Sequence, residues 1–148
     1  MRPKVPNGAS DLFLFNHQNI MEALVKPTVI SVAFAKGGSA KTTSAWSLGS
    51  CLEWSHRVLF WDVDPQRSLS SALVDFSEVT ATGYDVLVNK MNPADAIIPA
   101  LPTYGEKAKL IPASNLLTGL EAATATNIDR QHIFADAIAG ITVHPPMR

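Results

Sequence analysis

The chain has 148 residues, 47% of them hydrophobic and 17% charged, with a formal net charge of -1 at pH 7. That composition excludes a disordered or fibrous chain, and it excludes nucleic-acid binding driven by global charge, leaving only local basic patches for that purpose. A single cysteine, Cys51, excludes an intramolecular disulfide framework and a thiolate metal cluster; it fits a reducing compartment and is expected as a small buried hydrophobe.

In chain order, residues 1–27 read as an N-terminal extension and residues 28–148 as one α/β domain. Within the extension, prolines and Asn7-Gly8 precede a short helix from Asp11 to about Leu24, which Pro27 ends. Its loosely spaced apolar residues suit packing on the main domain or on a partner. The apolar run Leu12 to Phe15 is too short for a signal-peptide core or a membrane span, so the expectation is a cytoplasmic protein without membrane association.

A first strand is expected over Thr28–Ala35, apolar on both faces as in the interior of a parallel sheet. The loop Lys36-Gly37-Gly38-Ser39-Ala40 follows, and a helix is expected from Thr42 to about Trp54. Ala45, Leu48, Gly49 and Leu52 share one face of that helix, with Gly49 allowing close approach to the sheet. Trp46 and Trp54 read as packing groups, because no basic residues interleave with them.

Arg57–Val63 forms a second strand, with Asp62 and Asp64 where its carboxyl end emerges. Strand alternation puts both carboxylates on one side, facing the glycine loop. Helices are expected over Ser68–Phe76 and Tyr84–Lys90, and another starts at Pro93 behind an Asn92 cap. Lys109–Pro112 is a third strand, Asn115–Ala123 and Arg130–Ala139 are helices, and Ile141 begins like a fourth strand. Strands alternating with helices give a parallel sheet flanked by helices, thin for its class and open at its edges.

Strand, glycine loop and helix in this order suit a phosphate cradle. Glycines let backbone N–H groups close on an anion, the helix start adds its positive dipole end, a lysine adds a point charge, and a threonine hydroxyl can ligate magnesium. Lys36-Gly37-Gly38-Ser39-Ala40-Lys41-Thr42-Thr43 resembles the KGGxGKTT loop of the ParA and MinD family of deviant Walker ATPases. Asp62-Val63-Asp64-Pro65-Gln66 resembles the DxDPQ motif of ParA-type proteins, in the same order and at a matching separation. Leu110-Ile111-Pro112-Ala113-Ser114 is similar to the family's LIPAS strand end, where the resemblance stops.

The resemblance to ParA/Soj-like partition ATPases implies a P-loop NTPase-like sheet, incomplete relative to the family. It implies ATP and Mg2+ as cofactors, with Lys36 to Thr43 wrapping the phosphates and Lys41 on the β and γ phosphates. Thr42 is implied as magnesium ligand, Asp62 as its neighbour in the magnesium and water network, and Asp64 as the residue orienting the attacking water. Lys36 is implied as the signature lysine reaching across a nucleotide-sandwich homodimer to the partner's phosphates. The family's function, ATP-dependent segregation of plasmid or chromosomal DNA, implies a ParB-like partner, non-specific DNA binding and nucleoid association.

The sequence departs from the pattern at two places. Ala40 stands at the loop's last glycine, adding a β-carbon where backbone must approach phosphate and where glycine's conformational freedom is expected to be needed. The nearest counterpart of the family's DxPP strand is Thr142-Val143-His144-Pro145-Pro146, with Val143 in the aspartate's place. Two readings therefore stand: an ATPase coupling hydrolysis to dimerisation and DNA binding, and a truncated, inactive remnant or interaction module. His17, His56, His132 and His144 have no metal-ligand spacing, and neither a Ser-His-Asp order nor G-x-G-x-x-G is present.

Overall fold

The computed structural model describes residues 27–33, 38, 40–101, 108–125 and 132–143. The expected N-terminal helix lies outside them, as do Lys36, Gly37 and Ser39. Helix α1 spans Lys41–Leu52, strand β1 Val58–Trp61, helix α2 Ser68–Leu73 and helix α3 Gly83–Leu87. Strands β2 (Ile98–Pro99) and β3 (Ala108–Ile111) follow, then helices α4 (Leu120–Thr124) and α5 (Ile133–Val143).

The sheet has three strands in the order β1-β3-β2. β1 and β3 run parallel with Phe60 opposite Leu110 and Trp61 opposite Ile111. The bulky and branched side chains of Val58-Leu59-Phe60-Trp61 suit a pleated surface covered on both faces. β2 is antiparallel to β3, and Pro99, which has no N–H to give, occupies an edge strand where that costs nothing. The Asp62 N–H donates to the Ile111 carbonyl at 3.2 Å, which carries the β1–β3 pairing past Trp61 and fixes Asp62 at the strand's carboxyl end.

Alternation along the strands splits the core between the two faces of the sheet. Phe60 and Leu110 pack with Leu69, Leu73 and Val74 on the face covered by α1 and α2. Ile111 packs with Ala81, Val86 and Ala96 on the other face, where Leu59, Trp61, Ala137 and Ile141 join them. Helices on both faces of a small, largely parallel sheet are the expected α/β architecture.

Four local expectations are corrected. Residues 27–33 carry no strand, and Val29 and Ile30 are 58% and 55% exposed. An apolar run becomes a strand only where a neighbour takes its backbone hydrogen bonds, and among the described residues none does so while β1 keeps an unpaired edge. Ile141 does not begin a fourth strand but continues α5, because Ala137 and Ile141, one helical turn apart, both pack against the Ile111 cluster. Packing here overrides the strand preference of the β-branched Ile141-Thr142-Val143. Cys51 is exposed rather than buried: it lies two residues, about 200° of helix, from the buried Gly49. Trp54 lies beyond the end of α1 and is 82% exposed, whereas Trp46 packs on the core as expected.

Asp85 ties the start of α3 together by accepting from the Thr82 N–H and Oγ1–H, each at 2.9 Å, and from Asn89 Nδ2 at 3.0 Å. Burial pushes its carboxyl up, but these bonds outweigh burial and hold it below its usual value. A depressed folded-state value stabilises above the unfolded carboxylate range, near pH 4, and the contribution is lost as pH falls through the folded value. Asp85→Asn should therefore cost about 1 kcal/mol at neutral pH, and the gap to the unmodified chain should close in acid. Urea unfolding at pH 7 and below pH 3 checks this.

Candidate nucleotide site

The site forms where α1 begins beside the carboxyl end of β1. Ala40, the residue before α1, sits at φ 58°, ψ 23°, the left-handed region, and Gly38 is at φ 73°. Ala40 thus occupies the conformation that glycine takes freely and that costs an L-residue about 1–2 kcal/mol. The Ala40 carbonyl accepts the first helical bond, from the Ser44 N–H at 2.8 Å. Ala40 has no side chain able to cap α1, and no acidic residue lies in the helix's first turn, so its positive dipole end is uncompensated within the helix.

Lys41 opens α1 and its Nζ stands 3.9 Å from Asp64 Oδ2. Both side chains are partly exposed, so the pair contributes at most about 1 kcal/mol to stability. Thr42 is half-buried on the same turn and Thr43 is exposed. A lysine in a first helical turn without acidic residues, paired with a partly exposed carboxylate, suits a multiply charged anion that takes the place of Asp64 at the ammonium.

The two aspartates have different surroundings. The strand ends at Trp61, so the segment after it is shaped by side-chain bonds to its own backbone and not by alternation. Asp62 is buried; its Oδ1 accepts from the Asp64 N–H at 3.1 Å, and its Oδ2 accepts from the Ser70 N–H at 2.8 Å and the Ser70 Oγ–H at 2.6 Å. Asp64 is more open, with Oδ1 accepting from the Gln66 N–H at 2.9 Å and Oδ2 toward Lys41. The structure therefore brings Lys41, Asp62 and Asp64 together at the start of α1. Sequence reasoning misses Ser70, whose only signal is a small hydroxyl residue in the first turn after the DxDPQ-like segment.

Among the described residues, no group of three or more His, Cys, Asp or Glu side chains is placed to hold a metal ion by itself. No helix among them is long and apolar enough to cross a membrane.

An AAA domain family matches residues 27–144, which include every element of this site. The chain belongs to this family, as a ParA/Soj-like member. It is 36% identical over 105 residues to the sporulation initiation inhibitor protein Soj of Bacillus subtilis, an alignment covering 70% of this chain and 40% of Soj. It is 34% identical over 120 residues to the chromosome partitioning protein ParA of Caulobacter vibrioides, covering 80% of this chain and 44% of ParA. Among solved structures, cobyrinic acid a,c-diamide synthase from Mycobacterium smegmatis with bound ATP analog and magnesium superposes with a TM-score of 0.66 at 33% identity. That match covers 74% of this chain and 44% of the synthase. The chain thus spans about two fifths of the length of the curated relatives it matches.

Proposed function

We propose that this ParA/Soj-like chain binds Mg-ATP at the start of α1 and works in DNA partition, its ATP hydrolysis coupled to homodimerisation and DNA binding. The observation that carries the reading is Lys41 in the first turn of α1, directly after the left-handed Ala40 and 3.9 Å from Asp64. Residues 28–148 form the nucleotide-binding domain in this reading. The name of one relative, the chromosome partitioning protein ParA, supports the partition role; a ParB-like partner and a cytoplasmic, nucleoid-associated location belong to the same proposal. The ATP analog and magnesium of the synthase structure support the ligand.

The donor set fits that ligand. The first-turn N–H groups of α1 and the Lys41 ammonium supply positive charge for phosphate oxygens, while Asp62 and the Thr42 hydroxyl supply hard oxygens. Magnesium is commonly held by one or two carboxylates together with substrate phosphates, and Asp62 would be the carboxylate here. Bound Mg-ATP supplies an activated phosphoryl group whose charge the cation offsets.

In this reading Lys41 would hold the β and γ phosphates in place of Asp64. Lys36, Gly37, Gly38, Ser39, Ala40, Thr42 and Thr43 would wrap the phosphates, and Lys36 would serve the partner copy's nucleotide. Thr42 would hold the cation, Asp62 would belong to the water network around it, and Asp64 would orient the attacking water.

A second reading, binding without turnover as an inactive interaction module, is favoured by the strained Ala40 and by the segment 27–33 before the loop, which is no strand among the described residues. Ala40→Gly separates the two. Removal of the β-carbon that stands where backbone must approach phosphate should tighten Mg-ATP binding roughly tenfold and raise phosphate release above that of the unmodified chain. Tighter binding with no phosphate release from either form would select the inactive module, and no gain in affinity would contradict the role given to the loop.

A further inference from the structure

We infer that Ser70 is a positioning residue for the nucleotide site: it holds Asp62, and through Asp62 the Asp64 that faces Lys41, and it locks this pair to the end of β3. Ser70 is fully buried and its hydroxyl both donates and accepts. The hydroxyl proton goes to Asp62 Oδ2 at 2.6 Å, and Oγ accepts the Ala113 N–H at 2.9 Å, a contact across 43 residues of sequence. Its own N–H gives Asp62 Oδ2 a second donor at 2.8 Å. The other oxygen, Oδ1, is thereby aimed at the Asp64 N–H.

These bonds make a continuous path from the Ala113 N–H through Ser70 and Asp62 to Asp64 and Lys41. A buried carboxylate with two donors on one oxygen has little rotational freedom, so the direction of Oδ1, and with it the turn carrying Asp64, is set from Ser70. Alanine at this position keeps the backbone bond, removes the hydroxyl donor and strands the Ala113 N–H; threonine keeps the hydroxyl. A change at the β3 end of the path would thus reach Asp62 and the turn that carries Asp64.

The inference rests on the proposed nucleotide reading for its chemistry, but half of its test needs no nucleotide. Amide hydrogen exchange by NMR on the whole chain should show the Asp64 amide of Ser70→Ala exchanging about tenfold faster, beyond any change at the Phe60 and Leu110 amides, with Ser70→Thr restoring protection. In binding titrations with a fluorescent ATP analogue, Ser70→Ala should raise the half-saturating Mg2+ concentration about fivefold while leaving affinity at saturating Mg2+ within about twofold. Equal acceleration at Asp64, Phe60 and Leu110, with an unaltered Mg2+ requirement, would show general stabilisation and overturn the positioning role. Absence of nucleotide binding by the unmodified chain would overturn the proposed function, and the Asp64 amide alone would then decide the role of Ser70.

Discussion

Asp62→Ala is expected to destabilise the folded chain by about 3 kcal/mol or more, whereas Asp64→Ala, at a more open position, is expected to cost under about 1 kcal/mol. Both are aspartates of the same short motif, yet their surroundings differ. Asp62 is buried and accepts from the Ser70 N–H, the Ser70 Oγ–H and the Asp64 N–H, so truncation leaves two buried donors and one part-buried donor without their acceptor. Each bond to an ionised acceptor is worth about 1.5–3 kcal/mol, and part of that returns through relaxation and water entry. Asp64 loses only a partly exposed ion pair with Lys41 and a turn bond to the Gln66 N–H. Urea unfolding of the two variants side by side measures the difference; equal losses would contradict the division of labour between the carboxylates.

Gly49→Val is expected to cost about 3 kcal/mol, lowering Tm by roughly 10 °C in thermal unfolding. A β-carbon at Gly49 would overlap the Phe60 ring, and that ring is enclosed by Leu69, Leu73, Val74 and Leu110. Neither α1 nor Phe60 can give way without opening the core. Even Gly49→Ala should be a net loss, because the overlap outweighs the gain of about 1 kcal/mol from replacing a helical glycine. Gly140 in α5 supplies the contrast: among the described residues its added β-carbon would meet only Pro93 at 3.5 Å, ordinary contact, so Gly140→Ala should stabilise by about 0.5–1 kcal/mol. Stabilisation by Gly49→Ala as well would contradict the close α1–β1 packing.

What can be read from the residues alone follows from how local each signal is. The α1 helix, its Gly49 contact, both parallel strands and the Asn92 cap are legible because spacing and side-chain chemistry act within a few residues. The meeting of Lys41 with Asp62 and Asp64 is legible because two short motifs flank one helix. The antiparallel β2 escapes notice because a two-residue edge strand has no periodicity to show. Thr28–Ala35 has a strand's composition, but pairing depends on a neighbour that composition does not name. Cys51 and Trp54 read as buried from residue type, while the angle around α1 and the position of its end turn them outward. Ser70 is invisible because its bonds to Asp62 and Ala113 cross 8 and 43 residues.

The central claim, that the start of α1 is a Mg-nucleotide site, is tested most directly by calorimetric titration of ATP in excess Mg2+ into the unmodified chain and Lys41→Ala. The account predicts saturable one-site binding that EDTA abolishes and that Lys41→Ala weakens by about 100-fold or more. No binding to the unmodified chain, or equal binding to both, would contradict it.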